Sequence, residues 1–244
     1  MGHEGHARGR RRQTRFSGIL AEHGTLFSEE LGIDAGRQPF RWLLASVLFG
    51  RRISTTIAQR TYRAFARRRL LNPQAILRLG RDGLIPVMGE GGYVRYDNMT
   101  SDYVTEICEK LVREYGGNVG AIDEQAHGPR DLEARLLEFE GIGPVTLGIF
   151  LRELRGVWPK ADPPLSELAV QGARALGMTR ATTAEGARAD LERLWKVQRP
   201  RGYEFRHLEA ALVRIGLARR KRARKDRLSD VEACSEPAGS GSSK

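Results

Sequence analysis

Residues 136–154 read LLEFEGIGPVTLGIFLREL, and the interpretation of the chain grows from them. The apolar residues of 130–139, Leu132, Leu136, Leu137 and Phe139, fall on one side of a helix. A tight Gly141-Ile142-Gly143 turn then precedes a second apolar helix that opens at Pro144, a residue suited to the first helical position. Glycines at 141 and 143 let the backbone turn sharply and approach another molecule closely. Unbonded amides at the start of the second helix, with the positive end of its dipole, make an anion site for a phosphate. The same residues would also serve as a plain helix–turn–helix connection with a glycine C-cap.

The rest of the chain reads as helical. Helices are expected over Phe40–Phe49, from a Ser54 or Thr55 cap to Arg68, from the Asn72-Pro73 start to Leu79, and from Ser101 or Asp102 to Tyr115. Residues 83–96 read as broken by glycines and Pro86. Asp162-Pro163 is expected to cap a helix to about Leu176. Further helices are expected over Ala184–Val197 and Glu204–Leu217. No alternating strand pattern and no internal repeat stands out, so the fold class is all-α.

Composition narrows the function classes. With 244 residues and 40% hydrophobic content the chain can bury a sizeable core. No apolar run nears the ~20 residues of a membrane span, and the Arg-rich start lacks the apolar stretch of a secretory signal. Cys108 and Cys234 are the only cysteines, which excludes a disulfide framework or a four-cysteine metal site within the chain. A reducing cytoplasm is the expected compartment, with association to the nucleoid if the source is bacterial. His127 and His207 lack a ligand partner at metal spacing, so no metal site is expected.

The net charge is +11, which points to a polyanionic partner. Residues 1–15 hold five Arg against one Glu, and 219–227 hold seven Lys or Arg against one Asp. The expected organisation is a basic arm at 1–17, a helical body at 18–218, and a basic then low-complexity tail at 219–244. Within the body, Arg37 to Arg69 includes nine arginines and no acidic residue, a pattern suited to phosphate contact.

Nineteen residues beyond Gly143 stands Asp162, followed by two prolines. By itself a carboxylate there is an ordinary helix cap. Taken with FRWLLASVLFGRRIS (40–54), GGYVRYDNMTSDYVTEICEKL (91–111), LLEFEGIGPVTLGIFL (136–151) and HLEAALVRIG (207–216), it gives segment 40–177 a resemblance to the core of the endonuclease III, or HhH-GPD, superfamily of DNA glycosylases. The resemblance covers roughly 180 residues in order. It implies a two-subdomain helical fold with the active site in the cleft between subdomains, and Asp162 as the catalytic carboxylate. A register shifted by four residues would put Ser166 there instead.

Where bifunctional members carry a lysine nucleophile two residues after the second hairpin glycine, this chain has Val145. The resemblance therefore implies a monofunctional glycosylase of base excision repair that uses water. It implies double-stranded DNA containing an alkylated, deaminated or mispaired base as the partner, and a monomer is expected. Where members carry an iron–sulfur cluster, the chain has LARRKRARKDR, so no cofactor is implied beyond a monovalent cation at the hairpin, and the basic tail would substitute as a DNA contact. Expected DNA contacts are Gly141, Gly143, Val145, Thr146, Arg51 and Arg52, the last two standing where many members have a gap-filling glutamine. Trp42, Tyr93, Tyr96 and Trp158 are candidates for an aromatic base pocket, each equally readable as core. A lyase using Lys160, and a non-catalytic DNA-binding protein, are the competing readings.

Overall fold

The structure is a computed structural model that describes residues 16–198 and 200–233. Its elements in order are a helix at 16–23 (α1), a 3-10 turn at Glu29–Leu31, α2 (Pro39–Phe49), α3 (Thr55–Arg67), α4 (Pro73–Leu79), α5 (Arg81–Gly91), α6 (Asp97–Tyr115), α7 (Gly120–Gln125), α8 (Pro129–Leu137), α9 (Pro144–Leu154), α10 (Glu167–Ala175), α11 (Ala184–Gln198) and α12 (Phe205–Ala233). Among the described residues there is no strand, so the all-α expectation holds. No helix among them is long and apolar enough to cross a membrane.

Helix α2 is the hub because it is apolar on every side. Trp42 through Leu48 are all buried. Around it lie α3, α6 and α9; α5 packs on α3 and α6, and α9 also reaches α12. Local chemistry fixes the starts: Ser54 Oγ accepts from the Ile57 amide at 3.2 Å, and Asn72 Oδ1 from the Ala75 amide at 2.8 Å. Helices α10 and α12 touch backbone to backbone. A Cβ on Gly172 would lie 2.1 Å from the Leu212 carbonyl oxygen, and one on Gly216 would lie 2.2 Å from that of Leu168.

Several expectations are corrected. Residues 81–91 form a helix despite Gly83 and Pro86, because Leu84, Val87 and Met88 are buried and tertiary packing outweighs propensity. Helix α6 begins at Asp97, four or five residues before the expected Ser101 or Asp102 start. The boundary at 17 cuts through α1, whose Phe16 and Leu20 are buried. The tract 219–227 is a continuation of α12 rather than a tail, and Arg219, Arg220, Lys221, Arg222 and Arg224 are exposed along it. The arm at 1–15, Cys234 and the low-complexity end lie outside the described residues. Most consequential, the helix after Asp162 starts at Glu167. Ser166 is its cap, its Oγ accepting from the Ala169 amide at 3.2 Å, and 163–166 run without helical structure.

Candidate active site and nucleic-acid interface

The hairpin is built by α8 and α9. Gly141 takes φ +87°, and a Cβ there would lie 2.5 Å from Cβ and Cγ of Tyr103, so only glycine fits both the dihedral and the space. Gly143 and Pro144 are exposed and Val145 is 65% exposed. The amides of Gly143, Val145 and Thr146 have no protein acceptor among the described residues; the first bond closing α9 runs from the Leu147 amide to the Gly143 carbonyl at 2.9 Å. These orphan donors at a helix N-terminus face anions well. Thr146 itself is buried, its side chain packed against Gly50.

Arginine 51 ties the loop after α2 to this hairpin. Its Nη2 donates to the Gly141 carbonyl at 3.2 Å, and its guanidinium lies 4.5 Å from the centroid of the Tyr103 ring. Arg51 is therefore partly committed to holding the hairpin, whereas its neighbour Arg52 is exposed. The Arg51 contact brings the loop after α2 against the hairpin turn.

Three of the four aromatic candidates are buried in the core. Trp42 is fully buried, with Nε1 donating to the Phe150 carbonyl at 3.0 Å. Tyr93 is also fully buried, its hydroxyl donating to the Leu48 carbonyl at 3.2 Å, and burial pushes its pKa to about 12. Trp158 stands edge-on to Phe150 at 5.5 Å. Tyr96 is partly buried, with the Arg95 guanidinium 5.3 Å from its ring centroid. Trp42, Tyr93 and Trp158 are core residues whose polar atoms or ring faces are spent on the fold.

Asp162 lies on the segment that follows α9, and two arginines converge on it. Arg155 Nη1 and Arg188 Nη2, the latter at 2.7 Å, both meet Oδ1. Oδ2 has no partner among the described residues, and the side chain is 45% exposed. Each arginine answers a second carboxylate: Arg155 Nε meets Glu209 Oε2 at 2.6 Å, and Arg188 Nε meets Glu192 Oε1 at 2.8 Å. Arg155 Nη2 also donates to the Pro163 carbonyl, which fixes the backbone beyond Asp162. Partial burial opposes the Asp162 charge, but the Arg188 hydrogen bond and the adjacent Arg155 outweigh it and hold the carboxyl below its ordinary range. Arg155 and Glu209 are buried, and burial pushes the Glu209 carboxyl upward against the pull of Arg155.

Lys160 is spoken for. Its Nζ donates to the Asp123 carbonyl, and to that of Glu124 at 3.3 Å, which anchors the 156–162 loop to α7. Among the described residues no group of three His, Cys, Asp or Glu could hold a metal ion.

Arg155, Arg188 and Glu209 were missed in the sequence. A glutamate within the apolar run HLEAALVRIG was the available signal, since a carboxylate there must be buried with a partner. Its partner lies 54 positions away, beyond the reach of local pattern. No protein-family model matches the chain, and no curated protein matches it.

Proposed function

We propose that the protein is a monofunctional DNA glycosylase of the HhH-GPD type. It hydrolyses the N-glycosidic bond of a flipped damaged base and leaves an abasic site. The observation that carries this reading is Asp162: an ionised, half-exposed carboxylate with one oxygen pinned by two guanidinium groups and the other without a hydrogen-bond partner among the described residues. The hairpin, joined to Asp162 through α9 and the following loop, supplies unbonded amides for the DNA phosphates.

Flipping brings the base out of the stack at a cost of a few kcal/mol. As the glycosidic bond lengthens, the sugar gains positive charge. Asp162 Oδ2 stabilises that charge and orients or deprotonates the attacking water, while Oδ1 keeps the carboxylate in place. Because each arginine has its own second carboxylate, the negative charge of Asp162 is not simply cancelled. The Lys160 bonds to α7 count against an imine-forming role for that lysine.

One observation favours a second reading, a non-catalytic DNA-binding protein. The N-cap of α10 is Ser166, not Asp162, which agrees with the register that puts a serine at the family's catalytic position. A panel of duplexes carrying alkylated, deaminated or mispaired bases, incubated with the protein and then treated with alkali, separates the two. Strand breaks on at least one lesion that vanish with Asp162→Asn support the enzyme. Lesion-independent binding without breaks supports the binding protein.

A further inference from the structure

The nine arginines between 37 and 69 are not equivalent in the fold. Arg37 pairs with Asp34 at 3.6 Å, Arg51 is committed to the hairpin, and Arg68 meets Glu90. Helix α3 sorts three of the rest onto one face. Its inner side, with Ala58, Thr61, Tyr62 and Phe65 buried, is held against the core. At about 100° per residue, Arg60, Arg63 and Arg67 fall within a sector of about 60° on the opposite side. All three are exposed. Arg60 and Arg63 meet no carboxylate among the described residues, and Arg67 reaches only Glu90, at 3.5 Å, a carboxylate it shares with Arg68.

We propose that this outer face of α3 is a phosphate-binding ridge that grips one strand of duplex DNA at a second place beyond the hairpin. The proposal rests on the DNA-binding part of the reading above and not on catalysis. Three like charges at i, i+3 and i+7 work against an isolated helix, so the ridge does not serve helix stability. From 60 to 67 the helix advances about 10.5 Å, over which a strand of B-DNA presents about three phosphates, one per ~3.4 Å of axis. Arginine, used throughout 37–69 without a single lysine, offers the planar fork that matches phosphate oxygens. The Arg51 contact with Gly141, and the packing of Gly50 on Thr146, place the loop that leads into α3 against the hairpin.

The test is the salt dependence of binding to an undamaged 20-base-pair duplex, read as the slope of log affinity against log salt. The triple variant R60Q/R63Q/R67Q is compared with the wild type and with an equal-charge control, R130Q/R174Q/R180Q, each checked by thermal melting. The ridge variant should lower the magnitude of the slope by about 2–3, whereas the control should lower it by less than about 1. A wild type that binds the duplex, with a ridge variant whose slope is unchanged or no lower than the control, overturns the ridge and leaves the DNA reading standing. A wild type that shows no salt-dependent duplex binding overturns both. A ridge-dependent slope on anionic phosphatidylserine vesicles but not on the duplex also overturns the proposal.

Discussion

Arg155 and Arg188 both meet Asp162 through Oδ1, and Oδ2 accepts no hydrogen bond among the described residues. This one-sided grip separates orientation from reactivity: one oxygen carries the anchoring bonds and the other is left for solvent or substrate. Replacing the carboxylate by an amide keeps the shape and removes the charge. Asp162→Asn is expected to slow base release by about 10²–10⁴-fold, the usual range for a positioned acid–base group. Alkali-revealed strand breaks on the preferred lesion measure it. An unaltered rate would end the catalytic assignment.

The pH profile follows from the same geometry. An Asp in the unfolded chain titrates near 3.9, and Asp162 lies lower in the fold because Arg188 and Arg155 outweigh its partial burial. A depressed carboxyl contributes stability that is present above the unfolded pKa and lost as pH falls through the folded one. The single-turnover rate on the lesion duplex should therefore hold its carboxylate-dependent level down to about pH 4–5, with the acid limb below that. An acid limb centred near pH 6 would assign the essential group elsewhere.

Glu209 is expected to matter to folding more than its position far along the chain suggests. Removing it leaves the buried Arg155 guanidinium without its interior partner. Breaking a buried pair from one side costs about 3–5 kcal/mol, so Glu209→Ala should shift the urea midpoint strongly. Glu209→Gln, which keeps an acceptor oxygen, should lose less. Equal midpoints for the wild type and the alanine variant would show that the pair is not a structural anchor.

What the sequence revealed depended on the range of the interaction. The Ser54 and Asn72 caps, the helix end at Tyr115 and the Gly141-Ile142-Gly143 turn are local, three or four residues wide, and each was legible. Helix α5 was not, because its stability comes from packing on α3 and α6 rather than from Gly83 and Pro86. Asp162 stood out through motif spacing, yet its expected role as a cap passes to Ser166, since four residues, Pro163 to Ser166, separate Asp162 from the first helical residue, Glu167. The arginines that define its environment come from α11 and from the end of α9, and no linear pattern joins them.

Gly141 links the fold to the proposed interface. A side chain there meets both an unfavourable left-handed backbone at φ +87° and the Tyr103 ring. The backbone part alone costs about 1–2 kcal/mol. Gly141→Ala is expected to lower stability by at least that much and to weaken duplex binding, because the turn that aims the Gly143 and Val145 amides must shift. Calorimetry and a duplex titration on the same preparation check both. Loss of stability with full duplex affinity would remove the hairpin from the DNA contact.

The basic extension of α12 makes the last expectation. Arg219 with Arg222, Arg220 with Arg224, and Lys221 with Arg224 sit three or four residues apart on a helix, so like charges crowd along the tract. Each such pair costs about 0.2–0.5 kcal/mol, and salt weakens it as the screening length falls from ~30 Å at 0.01 M to ~10 Å at 0.1 M. Amide exchange across 219–227 should therefore slow as salt rises, and slow further when an undamaged duplex is added at low salt. Protection that decreases with salt would mean the helix is held by ion pairs instead of opposed by repulsion, and the tract would then be a structural element rather than a surface waiting for a polyanion.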